Sequence, residues 1–203
     1  MIHPIEVESY RVLADRVDLA ALGHGPLAQA VVARVIHSCA DLDLAESMRV
    51  SEDDAAAGIR ALRQGEPVIC DVEMVSHGIT GATTRCFLSH AAAPTPAPAE
   101  PASTRSAAGM RLAAEAHPQG GIWVVGCAPT ALVEIIQLAA QERIRPALVI
   151  GMPVGFVGAA ESKEALRSSG LSAISNVGEK GGSAMAAAAL NALVRIAGRE
   201  EYA

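Results

Sequence analysis

Arg34 and His37 stand three positions apart in a run with helical spacing, which puts both side chains on one helix face. An imidazole beside a fixed guanidinium suits the movement of a proton on a bound acid. Histidine titrates nearest neutral pH and is the usual general acid or base, although a capping or packed histidine is the plainer reading of His37 taken alone. His77, in Ser76-His-Gly-Ile-Thr80, follows a strand-like run near Asp71 and Glu73, where a ligand role competes with a turn role. The uneven spacing of these three residues gives a metal site little support, and none is expected. Arg105, in Thr104-Arg-Ser106, opens a helix and combines a charge-assisted donor with helix N-terminal N–H groups. That pairing suits a carboxylate or a phosphate, with a solvated arginine near a cap as the alternative. The chain contains no GxSxG nucleophile elbow and no serine or cysteine with a histidine at diagnostic spacing, so covalent catalysis lacks a motif.

The elements that must position these groups follow from periodicity. Helices are expected from Glu8 to Leu22, from Gly25-Pro26 to about Cys39, and from the capping-box-like Ser51-Glu-Asp-Asp54 to about Gln64. Pro67 to Asp71 and Thr83 to Leu88 read as short strands. The alanine- and proline-rich segment at 91–103 has little to bury and reads as a connector or flap. Helix resumes from Arg105 to Glu115. A regular alternation follows: strand Ile122 to Gly126, helix Pro129 to Arg143, strand Ala147 to Ile150, helix Ala159 to Ser168, strand Ala173 to Val177 and helix Gly182 to Ile196. Such alternation implies right-handed crossovers and a parallel sheet. The loops Cys127-Ala-Pro-Thr130, Gly151-Met-Pro-Val-Gly155 and Gly178-Glu-Lys-Gly-Gly-Ser183 then share one sheet edge. Glycines and helix N-termini along that edge favour an anionic ligand, with tight turns as the competing reading. Neither glycine-rich loop has dinucleotide or P-loop spacing.

A chain of 203 residues fits a single domain, 1–203, able to bury a substantial core. Hydrophobic residues make up 51% but aromatics only 2%, so the core is expected to be aliphatic, alanine-rich and layered. The net charge of −6 argues against a nucleic-acid partner. Cys39, Cys70, Cys86 and Cys127 form no CxxC pair and read as free, buried thiols in a reducing cytosol. Acids near the N-terminus argue against an export signal, and Ala184 to Val194 is far shorter than the roughly 20 apolar residues of a membrane span. A cytoplasmic protein without membrane contact is expected.

Six blocks in order carry a resemblance: Val35-Ile-His-Ser-Cys39; Cys70-Asp-Val-Glu-Met-Val-Ser-His-Gly-Ile-Thr80; Thr104-Arg-Ser-Ala-Ala108; Ala128-Pro-Thr-Ala-Leu132; Gly151-Met-Pro-Val-Gly-Phe-Val-Gly-Ala-Ala-Glu-Ser-Lys163; and Lys180-Gly-Gly-Ser-Ala184. Over nearly its whole length the chain resembles the precorrin-8X methylmutases (cobalt-precorrin-8 methylmutases) of cobalamin biosynthesis. The resemblance implies an isomerase that moves a methyl group between adjacent ring carbons of a corrin precursor, giving hydrogenobyrinate or its cobalt-bearing counterpart, cobyrinate, with no cofactor. It implies a homodimer, a corrinoid polycarboxylate as substrate and product, and hand-over to neighbouring enzymes of the pathway. The expected fold is α/β: a three-layer, flavodoxin-like arrangement with a mostly parallel central sheet and helices on both faces.

Within the family the catalytic histidine follows an arginine and two apolar residues and precedes x-Cys, which maps onto His37. Arg34 and Ser9 are then expected to contact substrate. The other blocks add His77, Arg105, Ser106 and Thr130, and the last block adds Lys180, Gly181, Gly182 and Ser183. Two departures stand out. Val177-Gly-Glu179 replaces an Arg-Gly-Arg common in the family, removing two carboxylate partners and adding an acid, and the stretch Thr83 to Pro98 lacks a longer glycine-containing hairpin. A non-catalytic corrinoid carrier and a nucleotide-binding domain of the same fold are the alternative functions, since fold does not fix function.

Overall fold

The computed structural model describes residues 3–91 and 104–198, so the alanine- and proline-rich segment lies, beyond Ala91, outside the described residues. Helix α1 (Pro4–Ala14) begins earlier than periodicity suggests, because His3 Nδ1 accepts the Ile5 N–H and Pro4 occupies the first turn. It also ends earlier. The Asp18 carboxylate accepts the Ala21 N–H in a local turn that competes with helix.

Helix α2 (Pro26–Cys39) forms as expected. Its first free N–H groups, those of Leu27 and Ala28, donate to the Glu52 carboxylate from the start of α4 (Glu52–Arg63). Ser51 caps α4 by accepting the Asp54 N–H at 3.0 Å. Between α2 and α4 lie two elements too short to be read from the sequence, α3 (Leu44–Ser47) and β1 (Met48–Arg49).

The chain continues through β2 (Val68–Cys70), α5 (Glu73–Gly78), β3 (Thr84–Cys86) and a 3-10 turn at Leu88–His90. It then alternates: α6 (Arg105–Ala116), β4 (Ile122–Val125), α7 (Pro129–Ala140), β5 (Leu148–Gly151), α8 (Ala159–Ser168), β6 (Ala173–Asn176) and α9 (Ser183–Ala197). Among the described residues six strands form one sheet in the order β1-β6-β5-β4-β2-β3. Every pairing is parallel except β1 with β6, where Met48 faces Asn176. Without β1 this is the flavodoxin-like order, and the winding reverses between β2 and β4.

Two aliphatic cores cover the two faces of the sheet. Helices α1, α2, α4, α5 and α9 pack on one face around Val31, Val35, Leu44, Ile150 and Leu190. Helices α6, α7 and α8 pack on the other around Trp123, Leu132, Ile135 and Leu166. The stripe Ala186–Ala189 on α9 is buried, and side chains this small let α2 lie close along it. That packing sets the height at which the α2 side chains emerge.

Candidate active site

His37 lies in the last turn of α2, directly after the fully buried Val35 and Ile36, which anchor the helix and leave the imidazole half-buried. Two side chains of α1 hold it. Ser9 Oγ is 2.8 Å from Nδ1, and the Tyr10 ring stacks on the imidazole with centroids 5.1 Å apart and planes 19° from parallel. The Ser9 hydroxyl donates to Nδ1 when that nitrogen is bare and accepts from it when it carries a proton, so the contact holds a neutral ring and an imidazolium alike, and Nε2 has no hydrogen-bond partner among the described residues. The ring is therefore fixed at one nitrogen and open at the other. That arrangement can deliver a proton to, or receive one from, an atom placed beside Nε2.

One turn earlier on the same helix, Arg34 donates to Glu6 Oε1 at 3.1 Å. Arg195, near the end of α9, donates to the same oxygen at 2.6 Å. The Arg195 hydrogen bond holds the Glu6 carboxyl below its ordinary range, against the opposing effect of burial, and the charges of Arg195, Arg34 and His37 add to the lowering. Arg34 and Arg195 line two neighbouring cavities. One, of about 570 Å³, is walled mainly by apolar residues of α1, α2 and α9, including Val7, Tyr10, Leu27 and Ile196. The other, of about 290 Å³, adds Thr80, Gly81 and Asn191. A further cavity of about 560 Å³, lined by Arg63, Glu66, Arg85 and His117 among others, touches none of the expected site residues.

The glycine-rich loop between β6 and α9 lies at the carboxyl edge of the sheet, where α6, α7, α8 and α9 also present their N-termini. Lys180 donates to Asp41 and Asp43, at 2.7 and 2.8 Å, which raises the Lys180 pKa and ties the loop to the chain just beyond α2. The Lys180 carbonyl accepts from the buried Lys163 ammonium at 2.6 Å and from the Asn176 amide at 2.7 Å. Burial pushes the Lys163 pKa down to about 8, with the Arg167 charge adding to the effect. A side chain at Gly181 would collide with the Met152 and Pro153 carbonyls, so the residue permits a close backbone contact. Gly182, with φ +131°, donates to the Met152 carbonyl and leads into the buried Ser183 at the start of α9.

The loop after β4 differs from the anion-binding expectation. Its backbone N–H groups at Gly126, Cys127 and Ala128 already donate to the fully buried Asp71 carboxylate at the end of β2. Burial pushes the Asp71 pKa up and those N–H groups oppose it. The anion at this helix N-terminus is thus the protein's own.

The remaining expected residues sit elsewhere along the edge. Arg105 donates to the Leu88 carbonyl, and Ser106 follows it, half-buried, in the first turn of α6. Thr130 Oγ1 lies 2.6 Å from Thr104 Oγ1, joining the starts of α6 and α7. His77 belongs to the last turn of the short helix α5, not to a turn after a strand, and its Nδ1 lies 2.7 Å from the Glu73 carbonyl. The structure thus gathers Ser9, Arg34 and His37 on one face, places Lys180 to Ser183 at the edge, and sets Arg105, Ser106 and Thr130 on the helices of the opposite face.

Sequence reading passed over Glu6, Tyr10, Lys163 and Arg195, and weighed Asp71 only as a metal ligand. The first two were accessible in principle, because Glu6, Ser9 and Tyr10 stand three and four apart on α1 and share a face. Arg195 meets Glu6 across 189 positions, and no local pattern carries that contact.

The precorrin-8X methylmutase family model matches residues 4–196. The chain is similar to a cobalt-precorrin-8 methylmutase from Methanocaldococcus jannaschii, 40% identical over 84% of this chain and 80% of that one. It is also similar to a precorrin-8X methylmutase from Pseudomonas aeruginosa, 44% identical over 79% and 80% of the two chains. Among solved structures, a precorrin-8X methylmutase from Thermus thermophilus superposes with a TM-score of 0.79 at 36% identity, covering 96% of this chain and 98% of that one.

Proposed function

The chain belongs to the precorrin-8X methylmutase family and is an isomerase of cobalamin biosynthesis, and on that premise we propose that its methyl migration is served by His37. The reaction converts precorrin-8X to hydrogenobyrinate, or the cobalt-bearing form to cobyrinate. One carbon–carbon bond to the migrating methyl breaks and another forms at the adjacent ring carbon, so nothing is gained or lost overall. Such a shift needs the correct tautomer of the conjugated ring more than it needs a nucleophile. His37 lends a proton to a ring carbon or nitrogen and takes it back once the methyl has moved, ending as it began. The enclosing protein holds the macrocycle in the reactive geometry.

The observation that carries this reading is the imidazole braced at Nδ1 by Ser9 and against Tyr10, with Nε2 unoccupied. His37→Ala is expected to lower turnover about 100- to 10,000-fold, the usual contribution of general acid–base catalysis, while product binding persists. The visible spectrum reads both, because migration changes the conjugated chromophore. Turnover equal to that of the unaltered chain would end the proposal. A chain that binds product but never shifts the substrate spectrum would be a corrinoid carrier.

Arg34 and Ser9 belong to the same proposed site, with His77, Arg105, Ser106, Thr130 and residues 180–183 along the route of the ring's carboxylates. The chain acts as a single cytoplasmic domain, works as a homodimer and hands its product to the next enzyme. Support for dimerisation comes from the loop after β5, where Phe156 and Val157 are 91% and 87% exposed. Apolar side chains left this bare commonly mark an interface. Among the described residues no helix is long and apolar enough to cross a membrane.

A further inference from the structure

We propose that Arg195, paired with Arg34 and held in reserve by Glu6, forms a carboxylate-binding subsite for a peripheral acid group of the macrocycle. This rests on the methylmutase reading of the site. The two arginines converge from different helices on one atom, Glu6 Oε1, at 3.1 and 2.6 Å. Each contributes a single N–H to that oxygen, and neither makes another hydrogen bond among the described residues. A guanidinium carries five N–H donors in a planar fork that matches a carboxylate two at a time, so both forks keep donors for an incoming acid.

The charge balance at the two ends of the site points the same way. At Lys180 one ammonium faces two carboxylates, Asp41 and Asp43, and Glu179 stands next to it in sequence, so the Lys180 charge is already neutralised, while the neighbouring Lys163 is buried beneath the loop and tied to its backbone. At Glu6 one carboxylate faces two guanidiniums, which leaves an unbalanced positive charge in a chain of net charge −6. The Arg34 and Arg195 side chains are 29% and 35% exposed, reachable by a ligand yet partly removed from water. Both also line the apolar cavity that Tyr10 borders, and Tyr10 is the residue stacked on His37. His37 does not itself line that cavity, and Tyr10 stands between the two; a ring lying against His37 and reaching past Tyr10 brings its fringe of acids toward the arginine pair. The site thereby recovers some of the cationic binding that Val177 and Glu179 deny it at the other end.

The competing role, a structural tie between α9 and α1, makes a different forecast. Binding of hydrogenobyrinate, followed by its visible absorption, is expected to weaken about 10- to 100-fold in Arg195→Gln. Arg195→Lys, which keeps the charge but not the fork, recovers part of the loss. Glu6→Gln, which removes the internal competitor, binds as well as the unaltered chain or more tightly. The fully esterified product, lacking carboxylates, does not distinguish Arg195→Gln from the unaltered chain. Unchanged affinity in Arg195→Gln overturns the subsite, as does an equal weakening in Glu6→Gln and Arg195→Gln, the mark of a mere tie. If the unaltered chain itself binds neither hydrogenobyrinate nor cobyrinate, the proposed placement of the macrocycle falls along with the subsite. Loss in the arginine variant alone, with methyl migration intact in the unaltered chain, upholds both.

Discussion

Lys163 is the residue whose environment departs furthest from its usual setting. A fully buried ammonium ordinarily requires a carboxylate, yet this one is held by two neutral oxygens, the Lys180 carbonyl and Asn176 Oδ1. With its pKa pushed down to about 8 from an ordinary 10.5, the folded protein releases this proton while the unfolded chain still holds it. Stability from this group is therefore lowest and flat below about pH 8, and it rises with pH from there toward 10.5. The expected outcome is that Lys163→Met loses this rise: the difference in unfolding free energy between the two proteins, from urea titrations at pH 7 to 10, changes in that direction. A difference independent of pH would show that the lysine is not strained by its burial. The same side chain donates to the Lys180 carbonyl and so restrains a loop with three glycines among six residues.

At the level of elements, the site depends on how helix ends are satisfied. Free N–H groups at helix starts are ready anion sites, but in this fold several are filled from within: Glu52 serves α2, and Asp71 joins the end of β2 to the start of α7. Asp71→Ala strips an acceptor from three N–H groups near the point where the winding reverses. It is expected to cost about 3 kcal/mol of folding stability, measurable by urea denaturation, since donors left unpaired lose their desolvation compensation. A cost below about 0.5 kcal/mol would mean water replaces the carboxylate freely. The regular alternation from α6 to α9 was legible because each helix and strand there carries its full period of apolar residues. β1 and α3 were not, because two- and four-residue elements have no period to detect and exist only through pairing with β6 and packing on α2.

Across the whole molecule, a chain of net charge −6 keeps a local excess of positive charge where Arg34 and Arg195 share Glu6. The face carrying α1, α2 and α9 holds His37 and the arginine pair, whereas the exposed Phe156 and Val157 extend from the loop after β5 at the sheet edge. Phe156→Asp is expected to shift the protein from dimer to monomer in sedimentation velocity with its helical circular dichroism unchanged. A dimer that persists would place the interface elsewhere. The blocks around His37, Asp71, Arg105 and Lys180 were enough to identify the family, since residue types at fixed spacing need no third dimension to be read. Tertiary structure alone decided that Asp71 quenches one helix N-terminus, that Lys180 is neutralised by Asp41 and Asp43, and that Arg195 joins Arg34 at Glu6. Those outcomes turn on which charges meet across the fold, and an ion pair spanning 189 positions is set by packing that no local pattern encodes.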